Sequence, residues 1–152
     1  MKMRKPTLAL LMATALSTAG MAYAGPPVTV TFKHVGSTGS AAATYSTVTS
    51  NETSTYANAT PKPATNVTAG STNTYTVQST ISPDTNYAVA RYKIGSKTCI
   101  FSTTYVNTLG AGGVKIPSWN KSATASGGAT CTANITSTNI STHEWAVEFT
   151  MK

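Results

Sequence analysis

The chain predicts an all-β fold, an antiparallel β-sandwich of about seven to nine strands, and three observations carry that prediction. Apolar and polar residues alternate with period two in run after run, turn-forming residues separate the runs, and a single pair of cysteines falls in the second half. After residue 24 apolar residues do not recur at spacings of three and four, so helices are expected to be few. A closed barrel is the alternative architecture, and no fixed-length repeat points to a solenoid.

The first element is one the working protein is expected to lose. Lys2, Arg4 and Lys5 give a basic start, and Leu8 to Leu16 form an apolar run too short to span a bilayer. Ala22-Tyr23-Ala24 then supplies the small-residue pattern that signal peptidase cuts. Residues 1–24 are therefore read as a cleavable signal peptide, with no cysteine at the cut for a lipid anchor, and residues 25–152 as a single exported domain. A domain of that length buries roughly two-thirds of its unfolded surface, enough for a core.

Within the domain Val28, Val30 and Phe32 oppose Thr29, Thr31 and Lys33, the pattern of a half-buried strand. Residues 43–50 read as a strand, followed to residue 60 by an edge strand or loop, because Tyr45, Val48 and Tyr56 are sparse among Ser, Thr and Asn. Tyr75 and Val77 alternate with Thr74, Thr76 and Gln78, and Cys131, Ala133 and Ile135 with Thr130, Thr132 and Asn134. The clearest case closes the chain, where Trp145, Val147, Phe149 and Met151 oppose Glu144, Ala146, Glu148 and Thr150. Breaks such as Gly36-Ser37-Thr38-Gly39, Ser82-Pro83-Asp84, Gly110-Ala111-Gly112-Gly113 and Ser126-Gly127-Gly128 separate these runs.

Residues 86–106 specify a hairpin with its register. Gly95-Ser96 is a Gly-first pair suited to a tight turn. That turn sets Ile94 opposite Lys97, Tyr92 opposite Cys99, Ala90 opposite Phe101 and Ala88 opposite Thr103. One face then carries Ala88, Ala90, Tyr92, Cys99 and Phe101, and the other Arg91, Lys93, Thr98 and Ser102. A slip of one residue mixes the two sets, so burial selects the register. Cys99 is aimed inward, towards Cys131, and an even pair in an exported chain reads as one disulfide.

Charge is thin. Of the formal +7, three charges belong to Lys2, Arg4 and Lys5, which leaves +4 over residues 25–152. There is one Arg in that part and no block of like charge, so nucleic acid is not an expected partner. About a third of these residues are Ser or Thr, yet the recurring aromatics and β-branched residues distinguish the chain from a disordered one.

Reactive constellations are not expected. Glu144 and Glu148 share a face of the last strand, about 13 Å apart at ~3.3 Å per residue, too far for paired-carboxylate chemistry. His34 and His143 fall near strand ends, and no G-x-S-x-G elbow accompanies them. His143-Glu144 lacks the second His of a zinc helix, and Gly95-Ser96-Lys97-Thr98 lacks the order of a P-loop. No catalytic residue, metal or cofactor follows. The binding candidates are Arg91, Lys93 and Lys97 on or near the hairpin, and Trp119, which follows Pro117 among polar residues.

A small exported β-sandwich with one disulfide resembles fimbrial subunits and adhesins in architecture. The chaperone–usher pilin pattern places its disulfide early, whereas Cys99 and Cys131 lie late. The architecture is Ig-like in the same sense. The expected function is that of a non-catalytic exported bacterial protein, a structural or adhesive fimbria-like subunit in the periplasm, at the cell surface or outside the cell. Self-association by strand addition through Val28–Phe32 or Trp145–Met151 is its expected mode. The alternative is a monomeric secreted binder, inhibitor or toxin-like, engaging a surface glycan or anionic lipid through the basic hairpin.

Overall fold

The computed structural model describes residues 24–152, so the expected leader lies outside the described residues but for Ala24. Two five-stranded sheets form the body. The first contains β1 (Val28–His34), β3 (Ala59–Thr60), β5 (Thr72–Val77), β9 (Cys131–Thr138) and β10 (Trp145–Met151), in the order β3-β5-β1-β10-β9. The second contains β2 (Ala43–Ser46), β4 (Asn66–Val67), β6 (Thr85–Ile94), β7 (Lys97–Leu109) and β8 (Lys115–Ser126), in the order β4-β2-β6-β7-β8. The strand total is ten rather than seven to nine, because β3 and β4 are pairs of residues too short to show alternation.

The purely antiparallel expectation needs correction. β1 and β10 pair in parallel, Val30 opposite Val147 and Phe32 opposite Phe149. Parallel neighbours cannot be joined by a turn, and here nearly the whole chain is the connection. The two terminal strands therefore lie at the centre of their sheet, with β5 on the far side of β1 and β9 on the far side of β10.

A second correction concerns residues 43–60. The strand ends at Ser46, and Ser50–Ala57 form a helix, α1. Thr49 and Glu52 make a capping box: the Thr49 hydroxyl accepts from the Glu52 amide at 3.3 Å, and Glu52 Oε2 accepts from the Thr49 amide at 3.0 Å. The inward residues of α1 are polar, Glu52 and Thr55. They bind β6 through an Arg91 Nη2–Glu52 Oε1 ion pair of 2.8 Å and a Val89 amide donating to Thr55 Oγ1 at 2.8 Å.

The β6–β7 hairpin has the expected register throughout, from Ile94 opposite Lys97 to Ala88 opposite Thr103. Its apolar face meets that of the other sheet in two stacked aromatic pairs: Phe32 with Tyr92, centroids 3.5 Å apart, and Phe101 with Phe149 at 4.7 Å. Each such pair stabilises the sandwich by about 0.5–1.5 kcal/mol beyond its area. Val28, Val30, Phe32, Trp145, Val147, Phe149 and Met151 are all buried, as their alternation requires. Burial pushes the hydroxyl of Tyr45 up to about 12, so this inward ring stays neutral. The expected Cys99–Cys131 disulfide is present, Cα atoms 5.8 Å apart, and ties β7 of one sheet to β9 of the other.

This topology gives the sandwich two poles. At the N-terminal pole lie the start of β1 and the β5–β6, β7–β8 and β9–β10 connections. At the C-terminal pole lie the β1–β2, β4–β5, β6–β7 and β8–β9 connections and Lys152.

Candidate functional site

The N-terminal pole is built on the β7–β8 hairpin. Thr85, the first residue of β6, pairs with Val106, and β7 runs on to Leu109. The Asn107 amide still reaches Asp84 O, so Thr108 and Leu109 carry the hairpin about 7 Å beyond its neighbour, before the turn is counted. The turn is closed by the Gly110 amide donating to Val114 O at 2.7 Å. Gly112 and Gly113 have φ of 74° and 78°, the left-handed region that glycine enters without strain.

Alternation makes this projection apolar on both faces. Val106 follows the buried Tyr105 and so points outward, and Ile116, opposite Thr108, shares its face. Leu109 lies on the inner side but overhangs the core, 74% exposed, and Val114 stands at the turn, 64% exposed. Two neighbouring loops add Ile81 and Ile140, 78% and 75% exposed. Elsewhere among the described residues the exposed large hydrophobic side chains are Val35, Val48 and Tyr56.

The polar groups of this pole are matched to one another. Asp84 binds Lys115 Nζ at 2.6 Å through both carboxylate oxygens and takes the Asn107 amide on its carbonyl at 2.8 Å. Hydrogen bonding from Lys115 holds the Asp84 carboxyl below its usual range. In the β5–β6 loop the Ile81 amide donates to Ser79 Oγ and the Asp84 amide to Ser82 Oγ, at 3.3 and 3.1 Å. In the β9–β10 loop Asn139 Oδ1 accepts from Ser141 and Thr142, and Asn139 O from the His143 amide at 2.7 Å. His143 takes φ 62° and lays its ring on Tyr105, centroids 5.2 Å apart. Buried Asn86 ties the pole to the core, its Nδ2 donating to Pro26 O and Val77 O at 2.7 and 3.0 Å.

The C-terminal pole is of another kind. A cavity of about 360 Å³ is lined there by His34, Ser37, Ser40, Lys97, Thr130 and Lys152, among others. His34 is buried; its Nδ1 accepts from the Gly36 amide at 3.1 Å, which leaves Nε2, 2.9 Å from Ala41 O, to carry the proton and donate. The backbone approaches so closely that a Cβ on Gly36 would lie 2.5 Å from His34 Cε1. The ion pairs of the described residues are Lys33–Glu148, Arg91–Glu52 and Lys115–Asp84, and none of these groups lines the cavity.

The binding candidates read from the sequence are thus spread over the molecule. Arg91 is half-buried and held by Glu52. Burial pushes the Glu52 carboxyl up, but hydrogen bonds from Arg91 and the Val48 and Thr49 amides outweigh it and bring it below the ordinary value. Lys93 is exposed on the outer face of β6, whereas Lys97, opposite Ile94, turns into the C-terminal cavity. Trp119 belongs to the other pole: it is half-buried beside Tyr105, centroids 5.6 Å apart, and its Nε1 donates to His143 O at 3.3 Å. Glu144 precedes β10 rather than sharing its face with Glu148.

Sequence reading passed over the exposed aliphatics of the N-terminal pole. A signal was present, since Ile81-Ser82-Pro83, Leu109-Gly110, Gly113-Val114 and Asn139-Ile140-Ser141 set large apolar residues inside turn segments rather than in alternating runs. Comparison with known proteins finds no family model, no curated protein and no solved structure that matches this chain.

Proposed function

We propose that this chain is a non-catalytic exported protein, a structural or adhesive surface subunit, that makes its contacts through the apolar N-terminal pole. The observation that carries the reading is the gathering there of Ile81, Leu109, Val114, Ile116 and Ile140, all exposed. A concentration of large aliphatic side chains at one end of a small domain marks an interaction surface. The disulfide supports an oxidising compartment. Three of the four acids have structural partners, Glu52, Asp84 and Glu148 lying in ion pairs, and His34 is hydrogen-bonded to its own loop.

Contact through the pole is favoured over strand exchange by the position of the strands. β1 and β10 are central and paired on both sides. The edge strands β8 and β9 are guarded: Lys121 Nζ donates to Ala133 O on the open side of β9 at 2.6 Å, and Pro117 interrupts the open side of β8.

The test is sedimentation of the exported, disulfide-closed protein over a concentration series, together with retention on a hydrophobic surface. The expected result is self-association or retention that disappears in the Ile81→Ser/Leu109→Ser/Ile140→Ser variant. Either property persisting unchanged in that variant overturns the reading. A second reading, binding of anionic surfaces or glycans, is favoured by Lys97 and Lys152 in the C-terminal cavity. It predicts salt-sensitive binding that Lys97→Glu abolishes.

A further inference from the structure

We infer that the partner met by the N-terminal pole is a lipid bilayer with zwitterionic headgroups, entered by the tip of the β7–β8 hairpin and the two loops beside it. This rests on the reading of that pole as the contact surface. The shape of the apolar group favours a bilayer over a protein. A protein partner covers one face of a ribbon, but here Val106 and Ile116 occupy the outer face, Leu109 the inner face and Val114 the turn, and all four are exposed. A surrounding apolar medium takes both faces at once. The projection of about 7 Å also falls within the roughly 5–10 Å to which interfacial elements sink.

The backbone is suited to the same medium. Loops ordinarily lean on water for their amides, and an amide carried unpaired into hydrocarbon is costly. At this pole the Gly110 and Gly113 amides donate within the turn, and Ser79 and Asn139 take those of Ile81, Ser141 and Thr142, which reduces the number of amides left to be desolvated.

Charge selects the headgroup. Lys115, opposite Leu109 beside the turn, is neutralised by Asp84, and Glu144 is the remaining acid of the pole. Of the lysines without acidic partners, Lys93, Lys97 and Lys152 lie towards the opposite end, while Lys62 and Lys121 are spent on backbone carbonyls away from the tip. Nothing at the pole therefore attracts an anionic leaflet. Trp119 sits behind the tip, half-buried, at the level where indole rings meet headgroups.

The experiment is flotation of the exported, disulfide-closed protein with phosphatidylcholine vesicles at low and high salt. Binding is expected at both, weakened roughly tenfold or more by Leu109→Ser and again by Ile116→Ser, from the transfer of one aliphatic side chain each. Val48→Ser, at an exposed valine away from the pole, is expected to bind as before. Leu109→Trp should fluoresce further to the blue on binding and be quenched by brominated acyl chains. No flotation with phosphatidylcholine overturns the bilayer inference, as does binding that requires anionic lipid and fails in salt. If the serine variants nevertheless lose association or retention, the contact-surface reading stands without the bilayer. If they lose nothing in either experiment, both fall.

Discussion

The two poles draw on the same Gly, Ser, Thr and Asn vocabulary and reach opposite solutions. At the C-terminal pole the loops fold over a buried histidine, lysines line the cavity, and the nearby disulfide joins the sheets. At the N-terminal pole several loop amides are satisfied within their own loops, and aliphatic side chains turn outward. One end is braced by covalent and polar contacts around a cavity, the other leaves apolar surface unmatched. Turn composition thus does not decide what a loop presents. That depends on which residue sits at the apex and on whether the neighbouring sheet reaches far enough to cover it.

The largest expected effect tests the centre that both poles share. Deleting residues 25–34 removes β1, whose Val28, Val30 and Phe32 are buried between β5 and β10. The product is expected to lose its cooperative unfolding transition by circular dichroism. A soluble folded product would instead mean that β1 can be exchanged. Next, Cys99→Ala/Cys131→Ala should lower stability by roughly 3–4 kcal/mol in urea titrations, the chain-entropy value for a loop of this size. If the poles are independent, this variant keeps the hydrophobic retention of the parent.

Glu52→Gln serves as a control outside both poles. It leaves Arg91 half-buried without its counter-charge and is expected to cost about 3 kcal/mol. Because the Glu52 carboxyl is held below its ordinary 4.5, its stabilisation is complete above that value and is lost as pH falls through the lower folded one. The variant should therefore show a shallower acid limb than the parent. Leu109→Ser and Ile116→Ser sharpen the contrast from the other side, changing urea stability by no more than about 0.5 kcal/mol while reducing contact with the apolar partner. The smallest effect is local. Asp84→Asn removes the carboxylate that braces Lys115 and should speed amide exchange in the projecting hairpin, with little change at the C-terminal pole. Lowering the pH through the depressed Asp84 carboxyl should do the same to the parent, read as a loss of protection relative to the intrinsic exchange rate, since protonation removes the partner of Lys115.

Part of the molecule was legible from residues alone. Period-two alternation identified the buried faces of β1, β5, β6, β7 and β10, and Gly95-Ser96 fixed the hairpin register, because a one-residue slip would expose Phe101 and bury Lys93. The cysteine pair was legible for the same reason, each residue lying on a face that burial determines. Helix α1 escaped the apolar pattern because its inward face is Glu52 and Thr55, and its remaining local sign was the Thr49-x-x-Glu52 capping box. The function-bearing surface was less legible still. Only the tertiary structure decided that the chain ends pair in parallel, that Arg91 is consumed by Glu52 while Lys97 and Trp119 go to opposite poles, and that Ile81, Leu109 and Ile140 share one end. Alternation is a property of neighbours in sequence and fixes which face of a strand is buried. The order of strands in a sheet, and what lies beside a loop, depend on contacts between distant segments that no local pattern records.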